Sequence, residues 1–405
     1  MTHASKRSIC IISQYFLPDL NGDVIRLLNL LKVLKDEGFE VTIITAFPHY
    51  PSGHIPSQYR WKLFSQEKWD GVRVIRTFIL PLPHKGIVNR FLLYTSFSLS
   101  AVFAAFLTRK IDITWAFSQK LFSYITGLAF KLIRKTRLIL DLTDVWPEAI
   151  VNTGYMKDKG LLFSIVKALM KFFYTVSDRV ITLTEFMRKM IISAVSDPLK
   201  VVVVPNIAQF RRAETSSKVR KFGNDFIVMY SGNLGPNYDF KTLLRAAQAL
   251  KDEDVFFVVR GKGEMKDFIV NFIRDTGLEN ICLDERPLSK GELMEYLSSA
   301  DAFVLPMRKC PYPDASFPIK LLDYLTCGKP VLCCASGYIA ELLTRYRAGL
   351  VVEPGDWKGL ADAILTLKER PEMREEMSRN AKRLVTRLFS RSVLHRRLKA
   401  AFNFA

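Results

Sequence analysis

The stretch Phe317-Pro318-Ile319-Lys320-Leu321-Leu322-Asp323-Tyr324-Leu325-Thr326-Cys327-Gly328-Lys329-Pro330-Val331 decides how this chain is read. Pro318 suits the first turn of a helix, where a missing N–H costs nothing. Lys320 and Asp323, three residues apart, share one helical face close to that start. Gly328 supplies a left-handed cap and Pro330 prevents continuation, so the helix gives way to a strand at Val331. The open N–H groups and positive dipole end of the helix favour an anion, and Lys320 adds a full charge. Asp323, one turn in, suits sugar hydroxyls. The expected ligand is a diphosphate carrying a ribose.

Outward from this stretch, both halves of the chain alternate strands and helices. Ser8–Tyr15 is a continuous apolar run, as in a strand covered on both faces. The loop Phe16-Leu17-Pro18-Asp19-Leu20-Asn21-Gly22-Asp23 follows, then a helix with Val24, Leu27, Leu28, Leu31 and Leu34 on one face. Val41–Thr45 completes a βαβ unit. Further strands are predicted at Val72–Arg76, Ile113–Ala116, Leu138–Leu142, Arg179–Leu183 and Val201–Val204. Pro205-Asn206 breaks the pattern, and the polar, basic segment 209–224 reads as a linker. The rhythm restarts with strands at Phe226–Tyr230, Val255–Arg260, Ile281–Leu283, Ala302–Pro306, Val331–Cys334 and Gly349–Val352. The predicted fold is α/β, with two Rossmann-like doubly wound domains over 1–205 and 206–385. A basic amphipathic helix over 386–405 is expected to pack back on the first domain.

The chain has 405 residues, enough for two cores. Its six cysteines are scattered without a Cys-x-x-Cys pair, and its five histidines form no pair at metal spacing, so neither a disulfide framework nor a zinc site is expected. The apolar run Ser8–Ile12 is too short for a signal peptide. Phe91–Leu107 is about 17 residues, short of the ~20 that a spanning helix needs. Net charge is +19. Residues 1–205 carry 27 Lys and Arg against 15 Asp and Glu. Within 85–137, Lys85, Arg90, Arg109, Lys110, Lys120, Lys131, Arg134, Lys135 and Arg137 face Asp112 alone. A basic segment around an apolar helix suits an anionic membrane surface. No helix-turn-helix, RNP or zinc-finger signature supports nucleic acid. The plainer account is a solvated basic face.

Candidate site residues gather where strands end. The 16–23 loop lacks Gly-x-Gly-x-x-Gly, which argues against a nicotinamide dinucleotide, while Arg26 one turn into the next helix is placed to face a ligand. Asp141-Leu142-Thr143-Asp144-Val145-Trp146-Pro147-Glu148 follows a buried strand, so Asp144 is a candidate for binding sugar hydroxyls or a developing positive charge. The bland alternative is a helix N-cap. Gly232-Asn233-Leu234-Gly235 forms the first strand–helix turn of the second half, where small residues allow close backbone approach. Arg260, Arg286 and Arg308 stand at three further strand ends.

These residues resemble a family 4 glycosyltransferase of GT-B fold. The resemblance runs through Ser13-Gln14-Tyr15-Phe16-Leu17-Pro18, Ala46-Phe47-Pro48-His49-Tyr50-Pro51-Ser52-Gly53, Asp144-Val145-Trp146-Pro147-Glu148, Val204-Pro205-Asn206, Gly232-Asn233-Leu234-Gly235, Phe317-Pro318-Ile319-Lys320 and Gly328-Lys329-Pro330-Val331. It is strongest toward the branch that builds O-antigen, capsule and related surface glycans. It implies two domains facing a central cleft, and retaining transfer of a sugar, an N-acetylated amino sugar in many members. The donor would be a UDP-sugar serving as co-substrate, with no cofactor and no metal. The acceptor would be a polyprenyl-linked glycan at the cytoplasmic face of the plasma membrane.

The resemblance also assigns residues. Lys320 lies near the diphosphate, Asp323 takes the place of the glutamate that grips the ribose, and Gly22 matches the loop under the donor phosphate and sugar. Phe317, Gly232, Asn233, Arg286 and Arg308 complete the donor set, Lys320 and Asp144 are the catalytic candidates, and Arg26 and Asp144 stand on the acceptor side. Ala315 occupies the place of the family's first paired glutamate, and Asn233 and Tyr238 replace the Arg and Lys of its phosphate loop. Two rival readings fit the same fold: a nucleotide-sugar 2-epimerase, and a non-catalytic glycosyltransferase-like partner.

Overall fold

The protein is described from a computed structural model covering residues 7–50, 52–83, 86–117, 120–152, 154–208, 225–312 and 315–402. The linker expected at 209–224 and Lys85 of the basic segment lie outside the described residues.

The chain divides into two compact units. The first comprises Met1–Trp146, Leu161–Asn206 and Leu394–Ala405, and the second Pro147–Gly160 and Ile207–Val393. The sequence reading drew the first domain unbroken to residue 205 and put the last boundary at 386. The chain instead lends 147–160 to the second unit, where the Asn152 side chain bonds the Tyr312 backbone. Its Nδ2 donates to the carbonyl at 3.2 Å and its Oδ1 accepts from the N–H at 3.1 Å. The Tyr312 hydroxyl donates to Asp158 in the same segment.

The first unit holds strands β1 (Ser8–Ile12), β2 (Glu40–Ala46), β3 (Phe64–Trp69), β4 (Val72–Thr77), β5 (Ile113–Ala116), β6 (Arg137–Leu142), β7 (Arg179–Thr182) and β8 (Val201–Val203). They form one sheet in the order β3-β4-β2-β1-β5-β6-β7-β8, parallel except for the β3–β4 hairpin. Ile11 pairs with Ile43 on one side and Trp115 on the other, placing the apolar β1 at the centre. Helices α1 (Gly22–Asp36), α2 (Ile87–Phe103) and α3 (Lys120–Arg134) cover this part of the sheet. The chain continues with α4 (Glu148–Asn152), α5 (Leu161–Val176) and α6 (Glu185–Ile192).

Together with the 3₁₀ turn that follows it, α2 supplies an apolar stretch of 20 residues, Val88–Leu107, long and apolar enough by composition to cross a membrane. The sequence argument from a run of about 17 residues therefore does not hold on length. What defines this helix is packing: Leu93, Tyr94, Phe97 and Ala101 are buried with Ile44, Ile75 and Phe130. Its other face leaves Val88, Phe91, Leu99 and Phe103 exposed.

The second unit holds β9 (Phe226–Ser231), β10 (Val255–Arg260), β11 (Ile281–Asp284), β12 (Ala302–Pro306), β13 (Val331–Cys334) and β14 (Gly349–Val352). All are parallel, in the order β11-β10-β9-β12-β13-β14. Between and after them run α7 (Phe240–Ala249), α8 (Lys266–Thr276), α9 (Lys290–Ser298), α10 (Ile319–Cys327), α11 (Tyr338–Tyr346), α12 (Trp357–Glu369) and α13 (Pro371–Leu388). The strand order reverses between β9 and β12, so the β9–α7 turn opens at the switch point where such sheets bind ligands. The last helix, α14 (Arg391–Phe402), ends in the first unit, where Phe402 packs 5.0 Å from Phe39 and 5.6 Å from Trp115.

Candidate functional site

The site of the second unit is built where β9, β10 and α10 meet. Helix α10 begins at Ile319, so Pro318 is its N-cap (φ −61°, ψ 126°) rather than a member of the first turn. Proline still serves there, because its fixed φ delivers the chain into the helix while no side chain covers the first N–H groups. Lys320 is the second helical residue and Asp323 the fifth. Gly328 closes the helix in the left-handed conformation at φ 65°.

From this helix start the Lys320 side chain reaches over the end of β9. Its Nζ lies 4.1 Å from the ring centroid of Tyr230 and 3.8 Å from that of Tyr238. The ammonium also donates to the Tyr230 hydroxyl, which in turn donates to the Asn233 carbonyl at 2.5 Å. No carboxylate pairs with Lys320 among the described residues. Burial alone pushes its amine well below the ordinary lysine range.

The glycines of this region have a different purpose from the one the sequence suggested. A Cβ on Gly232 (φ 152°) would stand 2.5 Å from Lys320 Cε and 2.6 Å from Nζ. The space over Gly232 is therefore occupied by the lysine. A Cβ on Gly261 would meet the Gly232 carbonyl oxygen at 1.9 Å, so the β10–α8 turn interlocks with the β9–α7 turn through backbone contact. Tyr324, one turn beyond Lys320, fixes the end of β9. Its hydroxyl accepts from the Ser231 N–H at 2.7 Å and donates to the Ser231 carbonyl at 2.9 Å.

Three donor-side candidates differ from expectation. Arg286 does not present an open charge, because its guanidinium grips the Asp284 carboxylate through Nε (3.0 Å) and Nη2 (2.6 Å). That fork holds the Asp284 carboxyl far below the usual range and raises the guanidinium further. Phe317 is buried between Tyr338 (6.0 Å) and Phe389 (5.0 Å), and packs beneath the helix start instead of facing a ligand. Asn233 contributes its backbone carbonyl to Tyr230, and its side chain closes on Gly235 and Gly263. Arg308 is exposed at the end of β12, its N–H bonded to the Asn237 carbonyl at 3.1 Å. Asp323 is half-buried, and Ala315 is buried.

In the first unit, Arg26 also departs from expectation. It is buried, with Nη2 3.1 Å from Asp141 Oδ2 and Nη1 3.1 Å from Asn206 Oδ1. It thereby joins α1, the end of β6 and the Val204-Pro205-Asn206 turn, and does not face a ligand. Asp141 loses solvent completely, which raises its carboxyl pKa, while Arg26 opposes that rise. Asp144, three residues on, is half-buried and cannot be a helix N-cap, since α4 begins at Glu148. Gly22 is the first residue of α1, capped by Asn21, whose side chain accepts from the Val24 N–H at 3.0 Å.

The 16–23 loop is fixed by residues that the sequence did not single out. Asp19 accepts from the His49 and Tyr50 N–H groups at 2.9 and 3.1 Å. The His49 Nδ1–H donates to the Phe47 carbonyl at 2.8 Å, and burial lowers the ring's pKa against the opposing pull of that carbonyl and of Asp19. Arg76 donates to the Leu17 carbonyl. An invariant local signal for these partners does not exist in one sequence, because each lies some 30 or more residues from the loop. Among the described residues no three His, Cys, Asp or Glu converge as metal ligands.

A separate basic cavity of about 480 Å³ lies at the amino ends of β1, β5 and β6, the opposite end of that sheet from Asp144. Lys110, Arg134, Lys135 and Arg137 line it with Asp112, whose carboxylate accepts from the Ser8 N–H and hydroxyl at 2.7 and 2.9 Å. Ile133, which also lines the cavity, and its chain neighbour Leu132 are exposed, as are Phe103 and Phe106 in the same unit.

Two parallel-rich α/β units, the second with an uncovered helix start near its switch point, have the architecture of the GT-B fold. Solved structures agree on the fold: sucrose-phosphate synthase from Thermosynechococcus elongatus (TM-score 0.73, 17% identity, 97% of this chain and 98% of that one) and Anabaena HepE in complex with UDP-glucose (TM-score 0.69, 17% identity, the same coverage). The family model for a glycosyl transferase 4-like domain matches residues 21–207, and that for glycosyl transferases group 1 matches 211–384. The chain belongs to the family 4 glycosyltransferases. Among curated relatives it is 24% identical over 391 residues to the putative colanic acid biosynthesis glycosyl transferase WcaI of Escherichia coli, covering 90% of this chain and 94% of that one. It is 22% identical over 252 residues to the probable glycosyltransferase WbjE of Pseudomonas aeruginosa, covering 58% and 62%.

Proposed function

We propose that the chain is a retaining, metal-independent glycosyltransferase that moves a sugar, an N-acetylated amino sugar, from a UDP-sugar to a polyprenyl-linked glycan acceptor in surface-glycan synthesis. The observation that carries this reading is the Lys320 ammonium at the start of α10, enclosed yet paired with no carboxylate among the described residues. A retaining transfer without an enzyme nucleophile asks the protein to stabilise the leaving diphosphate and to place the acceptor hydroxyl. Lys320 and the uncovered N–H groups of α10 serve the first task, with Asp323 on the ribose. Asp144 serves the acceptor side from the first unit. The likeness to HepE, solved in complex with UDP-glucose, and to WcaI, a putative colanic acid biosynthesis glycosyl transferase, supports a UDP-sugar donor and a surface-glycan role.

The acceptor's lipid calls for a membrane surface, and the basic cavity, together with exposed apolar side chains of the same unit such as Phe106, Leu132 and Ile133, supports peripheral attachment at the cytoplasmic face. The test is a panel of nucleotide sugars assayed for UDP release with and without a polyprenyl-linked acceptor. Release that requires both one UDP-sugar and the acceptor is expected. Acceptor-independent conversion of the donor would point to an epimerase, and no turnover with any donor to a non-catalytic partner.

A further inference from the structure

The second unit holds the helix-start cation Lys320 in an unusual way. A buried ammonium must be compensated, and the common solution is a carboxylate partner that also cancels its charge. At Lys320 the compensation comes from two ring faces and one hydroxyl. The Tyr230 hydroxyl gives its proton to the Asn233 carbonyl, so its oxygen faces Lys320 as an acceptor. The Tyr238 ring is braced edge-on against Tyr230 (5.4 Å, 68°) and lies 6.3 Å from Phe240. Its backbone bridges to Met307, at the end of β12, and its N–H donates to the Gly235 carbonyl at 3.2 Å. Both rings are therefore fixed before any ligand arrives. A quadrupole attracts the cation without cancelling its charge as a carboxylate would, so the ammonium is left to pair with an incoming anion.

We propose that Tyr238, together with Tyr230, is a positioning residue that holds the Lys320 ammonium over Gly232 for the donor diphosphate. This rests on the reading of Lys320 as the diphosphate contact. It also accounts for the departure at position 238, where the family resemblance places a cation in the phosphate loop. Here a ring at that position brings in the cation of α10 instead.

The experiment measures UDP affinity by calorimetry for the full chain and for Tyr238→Phe, Tyr238→Leu, Lys320→Met and the Tyr238→Leu/Lys320→Met double variant, with thermal unfolding of each as a folding control. Tyr238→Phe keeps the ring and should bind within 2-fold of wild type, by the ring-face argument. Tyr238→Leu should weaken binding about 10-fold, equivalent to about 1.4 kcal/mol. In the Lys320→Met background the same change should cost less than about 2-fold, because a residue that acts through Lys320 has nothing left to position. Equal losses in both backgrounds would show a structural role and overturn the proposal, as would wild-type affinity in Tyr238→Leu or a Phe variant as weak as the Leu variant. Should Tyr238→Leu fail to fold, Tyr238→Met takes its place in the same cycle. Wild-type affinity in Lys320→Met would instead remove Lys320 from the donor site, a failure of the functional reading that the cycle separates from failure of the positioning role.

Discussion

Arg26 meets Asp141 at 3.1 Å with both side chains almost wholly closed off from solvent, at 2% and 0% exposure. The pair ties α1 to the end of β6 just before Asp144, and Asn206 extends it to the turn after β8. A charge left alone in such a place is costly, whereas removal of both partners is not. Arg26→Met should therefore lower the stability of the first unit by about 3–5 kcal/mol. The Arg26→Met/Asp141→Leu double variant should recover most of that loss. Denaturant unfolding followed through Trp115, which lies in the same sheet, checks both. A double variant as unstable as the single one would show that the pair contributes more than mutual neutralisation.

Lys320 predicts a proton linkage. Its amine is held well below the ordinary lysine range by burial, and a bound diphosphate favours the charged form and pulls the pKa back up. UDP binding should then take up a proton wherever the free amine is partly neutral. Affinity should be highest at low pH and fall as pH rises through the pKa of the free protein. Measurements above about pH 7.5 avoid the phosphate's own titration, whose pKa is ~6. Calorimetry in two buffers of contrasting ionisation enthalpy reads the uptake, and Lys320→Met should abolish it.

The interlocked turns predict different outcomes for two glycines. In Gly232→Ala the new methyl meets the flexible end of Lys320, which moves away, while the backbone at φ 152° is strained for any L side chain. Donor affinity should fall about 10-fold or more, as when one charge-assisted contact is lost, with a stability loss limited to the backbone strain of about 1–3 kcal/mol. In Gly261→Ala the methyl meets the Gly232 backbone, which cannot yield. With the strain at φ 144° added to that clash, this variant should lose about 4 kcal/mol or more of stability. Thermal unfolding and UDP titration of both variants make the comparison. Equal behaviour of the two would mean that Lys320 does not fill the space over Gly232.

Most strands were legible in the sequence because parallel, doubly covered strands are written as unbroken apolar runs, as in Ser8–Ile12 or Val331–Cys334. β3 escaped for the complementary reason. Phe64-Ser65-Gln66-Glu67-Lys68-Trp69 is polar, exposed or half-buried along its length, and pairs antiparallel on one side only. Its one local signal was Asp70-Gly71, both at positive φ (45° and 80°), a tight hairpin turn. Lys320 was legible from the helix start, but its surroundings were not. Tyr230 and Tyr238 read as strand-end and loop aromatics until the fold brings α10 across β9. Arg26 misled because charge near a strand end suggests a ligand, while its partners Asp141 and Asn206 lie 115 and 180 residues away.

The basic cavity of the first unit predicts how the protein meets a membrane. Lys110 and Lys135 stand with Arg134 and Arg137 around one concavity, and Phe106 and Leu132 are exposed in the same unit. Each lysine near an anionic surface contributes about 1 kcal/mol, so Lys110→Gln/Lys135→Gln should weaken binding to vesicles containing phosphatidylglycerol by about 30-fold. Phe106→Ser/Leu132→Ser should weaken it by a similar factor, since two buried apolar side chains contribute about 1.5–3 kcal/mol each and burial at an interface is partial. Wild-type binding should drop steeply between about 0.1 and 0.5 M salt, because charge screening shortens to a few Å. The apolar contribution should persist there, leaving the serine variant weaker than wild type at both salt concentrations. Cosedimentation with anionic and with neutral phosphatidylcholine vesicles gives the answer. If binding to the two is equal, or the lysine variant sediments like wild type, the membrane contact lies elsewhere on the protein.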